Sequence, residues 1–215
     1  MSREVPMLFS QTMVSRLLDG SKTQTRRIVK WHESVAAKGE QPTSIPFQGD
    51  GYCDTREVRV SDAWTFSKPL AKPGDVIWVR ETWQAEPGPL KPGMAIMYRA
   101  DYHNDPHGYD GEKSPEGRYR SWRPSIHMPR WAARIFLRVE SVMVERIQSI
   151  SEEDAIAEGC AGRYSPAYVS FGEICGPDGQ TPDEEFRELW NSTYGKDAWD
   201  RNDWCWIYSF QRINP

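Results

Sequence analysis

Trp204-Cys205-Trp206-Ile207-Tyr208-Ser209-Phe210-Gln211 is the stretch that decides the fold. Its large rings fall at every second position, the period of a strand with one heavily aromatic face turned to a core. A second alternating run lies upstream, where Ile135, Leu137 and Val139 alternate with Phe136, Arg138 and Glu140 before the apolar parity flips to Val142 and Val144. Such a flip needs an inserted residue or a turn, so a bulge, bend or tight turn is expected near Ser141. Val76-Ile77-Trp78-Val79-Arg80-Glu81, entered through the turn Pro73-Gly74-Asp75, reads as a further strand, and Met94 to Ala100 as another.

Helices are marked by their caps. Ser10 precedes an apolar stripe of Met13, Val14, Leu17 and Leu18 that Gly20 closes. Ser151-Glu152-Glu153-Asp154 and Thr181-Pro182-Asp183-Glu184 both have capping-box spacing, with Gly159 and Gly195 standing where those helices stop. Strands and helices in this non-alternating order argue for an α+β fold with a mainly antiparallel, curled or closed sheet. Residues 31–72 read as a long irregular excursion holding one strand near Glu57 to Val60, and residues 101–120 as a long loop. No repeat at solenoid period is seen, and one domain over residues 1–215 is the expectation.

The chain has 215 residues, with 38% apolar residues, 10 Trp, 9 Tyr and 7 Phe at a mean hydropathy of -0.72, so its core should be built from few but large side chains. A net charge of -4 argues against a protein that coats long duplex DNA. The charge is segregated: residues 1–30 carry six basic and two acidic side chains, and residues 152–203 thirteen acidic and four basic ones. No apolar run is long enough for a membrane span, and Met1-Ser2-Arg3-Glu4-Val5-Pro6 lacks the apolar centre of a signal peptide, so a cytoplasmic protein without a membrane partner is expected. Cys53, Cys160, Cys175 and Cys205 fit neither a zinc knuckle nor a redox pair, and His103 and His107 have no identifiable acidic partner; no metal is expected. Neither a phosphate-binding glycine loop nor a dinucleotide fingerprint occurs, and no cofactor is expected.

The densest polar cluster is Lys22-Thr23-Gln24-Thr25-Arg26-Arg27, set between the first helix and an apolar extension. A lysine beside other cations in a desolvated cleft loses proton affinity and can serve as a base, with a threonine hydroxyl as nucleophile. Lys22 and Thr25 are three apart, so a regular strand would send them to opposite faces, and their pairing requires a turn or bulge at the start of the segment. A solvated basic strand is the plainer alternative. Glu158, in the last turn of a short helix, is misplaced against the helix dipole; either it is simply exposed, the usual case, or a neighbouring cation elsewhere in the fold uses it. Arg80-Glu81-Thr82-Trp83 closes a strand with an ion-pair couple and an aromatic. Trp122-Arg123-Pro124-Ser125-Ile126-His127-Met128-Pro129-Arg130-Trp131 interleaves cations with rings, as a surface that stacks a base and neutralises a phosphate would; core tryptophans and a structural His127 are the plainer alternative.

Taken together, the blocks from Phe9-Ser10 to Arg26-Arg27, Pro73-Gly74-Asp75 to Trp83, Tyr98-Arg99-Ala100-Asp101, Trp122 to Trp131, Ile150 to Ala155 with Glu158-Gly159, and the Trp-rich final strand resemble the ASCH family, most of all its longer phage and prophage members. The resemblance implies a PUA-like fold, a small β-barrel with flanking short helices, here lengthened by insertions at about 31–72, 84–120 and 161–181. It also implies a cleft for nucleosides or RNA, and, for a phage-encoded chain, the host cytoplasm. Small bacterial ASCH enzymes that hydrolyse N4-acetylcytidine are similar at Lys22, Thr25 and Glu158. By that similarity Lys22 activates Thr25 for attack on an amide carbonyl and Glu158 orients groups or moves protons. Arg26, Arg27, Arg80, Glu81, Trp83, His127, Arg130 and Trp131 are the candidate substrate or nucleic-acid contacts. Two functions stay open: an amidohydrolase of acylated pyrimidines, and a module that holds RNA through Arg26, Arg27, Arg130 and the tryptophans without chemistry. An RNA-cleaving enzyme and a phage–host interaction protein are further alternatives.

Overall fold

A computed structural model describes residues 2–33, 57–59, 64–86, 88–102, 122–162 and 180–214. The elements in chain order are β1 (Glu4–Leu8), α1 (Gln11–Leu18), β2 (Gln24–Ile28), β3 (Trp31–Glu33), β4 (Glu57–Arg59), β5 (Trp64–Ser67), β6 (Val76–Arg80), β7 (Trp83–Ala85), β8 (Ile96–Tyr98), β9 (Phe136–Arg146), α2 (Glu152–Ala157), α3 (Pro182–Tyr194) and β10 (Trp204–Ile213). The fold is α+β. Its main sheet has five strands in the order β1-β6-β9-β10-β2, antiparallel except for the parallel pair β1 and β6. β1 and β2 stand at opposite edges and do not pair, so among the described residues the sheet is open rather than closed into a barrel.

The parity flip in the β9 sequence is a bulge. Ser209 pairs with Ser141 but Phe210 with Val139, which leaves Glu140 without a partner in the register and turns Val142 to the same side as Val139. β10 lies between β9 and β2, and its Trp206, Tyr208 and Phe210 are buried with Met13, Val14 and Leu17 of α1 and Leu137 and Val139 of β9. The opposite face carries Cys205, buried with Ala155 of α2 and Phe186 and Trp190 of α3. Each large ring removes roughly 150–250 Å² from water, so few residues suffice to hold α1 on one face and α2 with α3 on the other.

The 31–72 excursion is more regular than its sequence suggests: β3, β5 and β4 form a three-stranded antiparallel sheet in that order. The segment after residue 84 begins as the β7–β8 hairpin, with Trp83 opposite Tyr98. His103, His107, Cys53, Cys175 and most of the 161–181 insertion lie outside the described residues.

Candidate functional site

α1 and α2 meet beside the start of β2, and local structure there fixes each side chain. The Ser10 hydroxyl caps α1 by accepting from Met13 N–H at 3.4 Å. Beyond α1 the chain is tied down by Lys22 N–H donating to the Arg16 carbonyl at 3.0 Å and Thr23 N–H to the Ala157 carbonyl at 2.8 Å. β2 begins only at Gln24. Lys22 therefore sits in a turn, outside strand alternation, which is how it can share a site with Thr25 despite their spacing.

Glu158 is the C-cap of α2, and Gly159 follows it at φ +94°, a conformation that a side chain would strain. A Cβ at Gly159 would also lie 2.7 Å from Arg16 Cδ. The Lys22 ammonium donates to the Glu158 carboxylate at 2.6 Å and to the Glu158 carbonyl at 2.8 Å. One cation thus pairs the carboxylate and satisfies an orphan carbonyl at the helix end, which resolves the electrostatic misplacement of Glu158. Arg26 reaches the other carboxylate oxygen at 3.3 Å, Asp154 at 2.8 Å and the Gln24 side-chain carbonyl. Gln24 in turn donates to Asp154 at 3.2 Å. Asp154 and Glu158 are four apart, so one face of α2 presents both carboxylates to β2.

Lys22, Thr25, Arg26 and Glu158 are each 3% exposed. Burial pulls the Lys22 ammonium below its ordinary affinity for a proton; Glu158 opposes that shift and Arg27 adds to it. Around these groups is a hollow of about 80 Å³ lined by Lys22, Thr25, Arg26, Arg27 and Glu158, by Phe9, Ser10 and Met13 from the α1 side, and by α3. Phe186, Trp190 and Tyr194 fall four apart on α3 and all line it, with successive ring centroids 5.9 and 4.4 Å apart. The Thr25 hydroxyl makes no hydrogen bond among the described residues.

Of the eight substrate or nucleic-acid contacts expected from sequence, only Arg26 and Arg27 line the hollow. Arg26 spends its side-chain donors internally, while Arg27 donates to the Leu8 carbonyl at 2.6 Å and lies 5.0 Å from the Phe9 ring centre. The other six lie elsewhere. Arg80 covers Trp78 at 4.7 Å. Glu81 accepts from Arg134 Nε at 2.9 Å and Nη2 at 3.0 Å, with burial pushing its carboxyl up despite that pairing. Trp83 is fully buried under Arg123 at 5.4 Å, with Trp131 edge-on at 6.4 Å. Arg130 grips Glu4 at 2.5 and 2.8 Å and lies 4.2 Å from the Phe136 ring centre. His127 is exposed, in a single helical turn.

Sequence reasoning missed Gln24 and Asp154, which complete the ion-pair cluster, and the α3 rings. The four-residue spacing of Phe186, Trp190 and Tyr194 behind a capping box was the available signal for the rings. Burial raises the Cys160 thiol to about 11, and that thiol accepts a hydrogen bond from Arg16. Among the described residues no cluster of three or more His, Cys, Asp and Glu could hold a metal ion, and no helix is long and apolar enough to cross a membrane. No protein-family model, curated protein or solved structure matches this chain.

Proposed function

We propose that the protein is a hydrolase of an amide carried by a pyrimidine, an N4-acylated cytidine or close analogue, on an ASCH-type, PUA-like scaffold. One observation carries the reading: an ammonium and an unengaged hydroxyl three residues apart, and a carboxylate remote from both in sequence, all buried, line one hollow. Lysine is ordinarily too protonated to act as a base, but burial weakens that state in Lys22, whose amine Glu158 holds in place at 2.6 Å. The Thr25 hydroxyl oxygen then attacks the acyl carbon while Lys22 Nζ accepts its proton. As the C–N bond breaks, Lys22 passes that proton to the departing exocyclic nitrogen. Water, deprotonated by the same amine, cleaves the Thr25 ester, and the released hydroxyl recovers its proton from Lys22. The Arg26 side chain touches no reacting atom in this scheme and positions Glu158, while the α3 rings offer a flat apolar wall to the pyrimidine.

The rival, a module that grips RNA phosphates, finds fewer free cations: Arg26 is committed to Asp154 and Glu158, and Arg130 to Glu4. The deciding assay follows carboxylate release from N4-acetylcytidine by wild type and by Lys22→Met, which leaves Glu158 paired with Arg26. Loss of about 10²-fold or more in the variant, with unchanged circular dichroism, is expected for a missing base. Equal rates would remove Lys22 from the chemistry.

A further inference from the structure

Among the described residues β2 is an edge strand, paired with β10 on one side and with no strand on the other. In an antiparallel ladder, residues whose backbone N–H and C=O bond the neighbouring strand alternate with residues whose N–H and C=O point away from it. Two bonds fix that parity here: Val29 N–H to the Trp204 carbonyl at 2.8 Å and Phe210 N–H to the Thr23 carbonyl at 2.9 Å. With Ile28 opposite Cys205 and Gln24 opposite Ser209, the bonded positions of β2 are the odd-numbered ones, and Thr25 and Arg27 turn their backbones to Tyr208 and Trp206. Arg26 therefore points its N–H and C=O outward from the sheet, and among the described residues nothing meets them.

That outward pair lies where the hollow is. Arg27 stacks near Phe9 on the α1 side, whereas the Arg26 side chain reaches the Phe186 ring on the α3 side, and all four residues line the hollow. The hollow thus straddles the plane of the sheet just beyond β2. A flat ring hydrogen-bonded edge-on to the strand would lie in that plane, with Phe9 toward one face and Phe186 and Trp190 toward the other. A backbone donor beside a backbone acceptor is complementary to a ring nitrogen beside an exocyclic N–H, which is the N3 and N4–H edge of cytosine. One acyl group on N4 leaves both atoms in place.

We propose that the outward backbone of Arg26 reads the base, its N–H donating to N3 and its C=O accepting from N4–H of a cytosine ring. The identity of the ring rests on the hydrolase reading above; the free strand edge does not. The acyl amide, conjugated with the ring, would share its plane, and Thr25, the adjacent residue, projects its side chain out of that plane toward the open face of the carbonyl. A substituent on N3, or a second one on N4, would leave an Arg26 backbone group without its partner.

Hydrogen exchange of ¹⁵N-labelled full-length protein tests this, with cytidine as the probe because it cannot be turned over. In the free protein the Arg26 amide should exchange about tenfold or more faster than those of Thr25 and Arg27, which are held by β10. Saturating cytidine should slow Arg26 by a similar factor, and 3-methylcytidine should bind about tenfold or more weakly, for want of the N3 acceptor. Equal exchange of the three amides in the free protein, an Arg26 amide that stays fast with cytidine bound, or no cytidine binding would each overturn the proposal. Turnover of N4-acetylcytidine, measured on the same sample, separates the two readings. Hydrolysis with an unprotected Arg26 defeats the edge alone, and protection without hydrolysis defeats the chemistry alone.

Discussion

Two parts of this molecule are rich in cations and rings, and they use them in opposite ways. Beside β2, Lys22 and Arg26 are buried, their charges met by Glu158 and Asp154, and a hollow opens next to them. Along residues 122–134, Arg123 and Arg130 lie over Trp83 and Phe136, and Arg130 meets Glu4 with their side chains 41% and 47% exposed. Similar composition thus gives a largely buried ion-pair cluster in one place and a wet arginine cover over core rings in the other. Availability for a ligand depends on which surface the topology leaves uncovered, and mixing Arg with Trp does not decide it.

Removing an acid from each region should give the largest contrast. Glu158→Ala leaves the buried Lys22 ammonium without its carboxylate and takes one of two from Arg26, and should destabilise the fold by about 3–5 kcal/mol. Glu4→Ala breaks an exposed pair and should cost less than about 1 kcal/mol. Urea titrations of both variants check this, and similar losses would erase the distinction between buried and exposed clusters.

The next effect compares two glycines with left-handed backbones. Gly20 at φ +84° has open space where a Cβ would stand, whereas Gly159 at φ +94° has Arg16 Cδ 2.7 Å from that position. Both alanine variants carry backbone strain of about 1–3 kcal/mol, but only Gly159→Ala must also displace the chain next to Glu158. It should lower hydrolysis of N4-acetylcytidine at full folding, while Gly20→Ala leaves the rate of folded protein unchanged.

A smaller effect concerns pH. Arg27 helps to lower the proton affinity of Lys22, so Arg27→Met should move the rising limb of the pH profile of kcat/KM to higher pH, and Arg130→Met should not move it. The sign for stability is separate. Because the folded value of Lys22 lies below its ordinary 10.5, the unfolded chain binds a proton that the native one has lost in the interval between them. Wild-type stability should therefore gain with rising pH across that interval relative to Lys22→Met.

Much of this architecture was legible because it is local or periodic. The caps at Ser10, Ser151 and Thr181, the aromatic alternation of β10 and the slip in β9 all appear as read. The small sheet of β3, β4 and β5 was largely hidden because its strands are short and far apart in sequence. At the site, Lys22 and Glu158 could be named but not their geometry, since 136 residues separate them and a turn before β2 sets the lysine's direction. Arg130 shows the reverse failure: its sequence neighbours suggest a ligand surface, while its actual partner, Glu4, lies 126 residues away.

The nucleophile is the most direct test of the central claim. The quantity to measure is kcat/KM for N4-acetylcytidine of Thr25→Val against wild type, at a temperature where both are fully folded. A fall on the order of 10³-fold or more is predicted for loss of the attacking oxygen. Hydrolysis by Thr25→Val at the wild-type rate would contradict the assignment of this hydroxyl, and with it the proposed chemistry of the hollow.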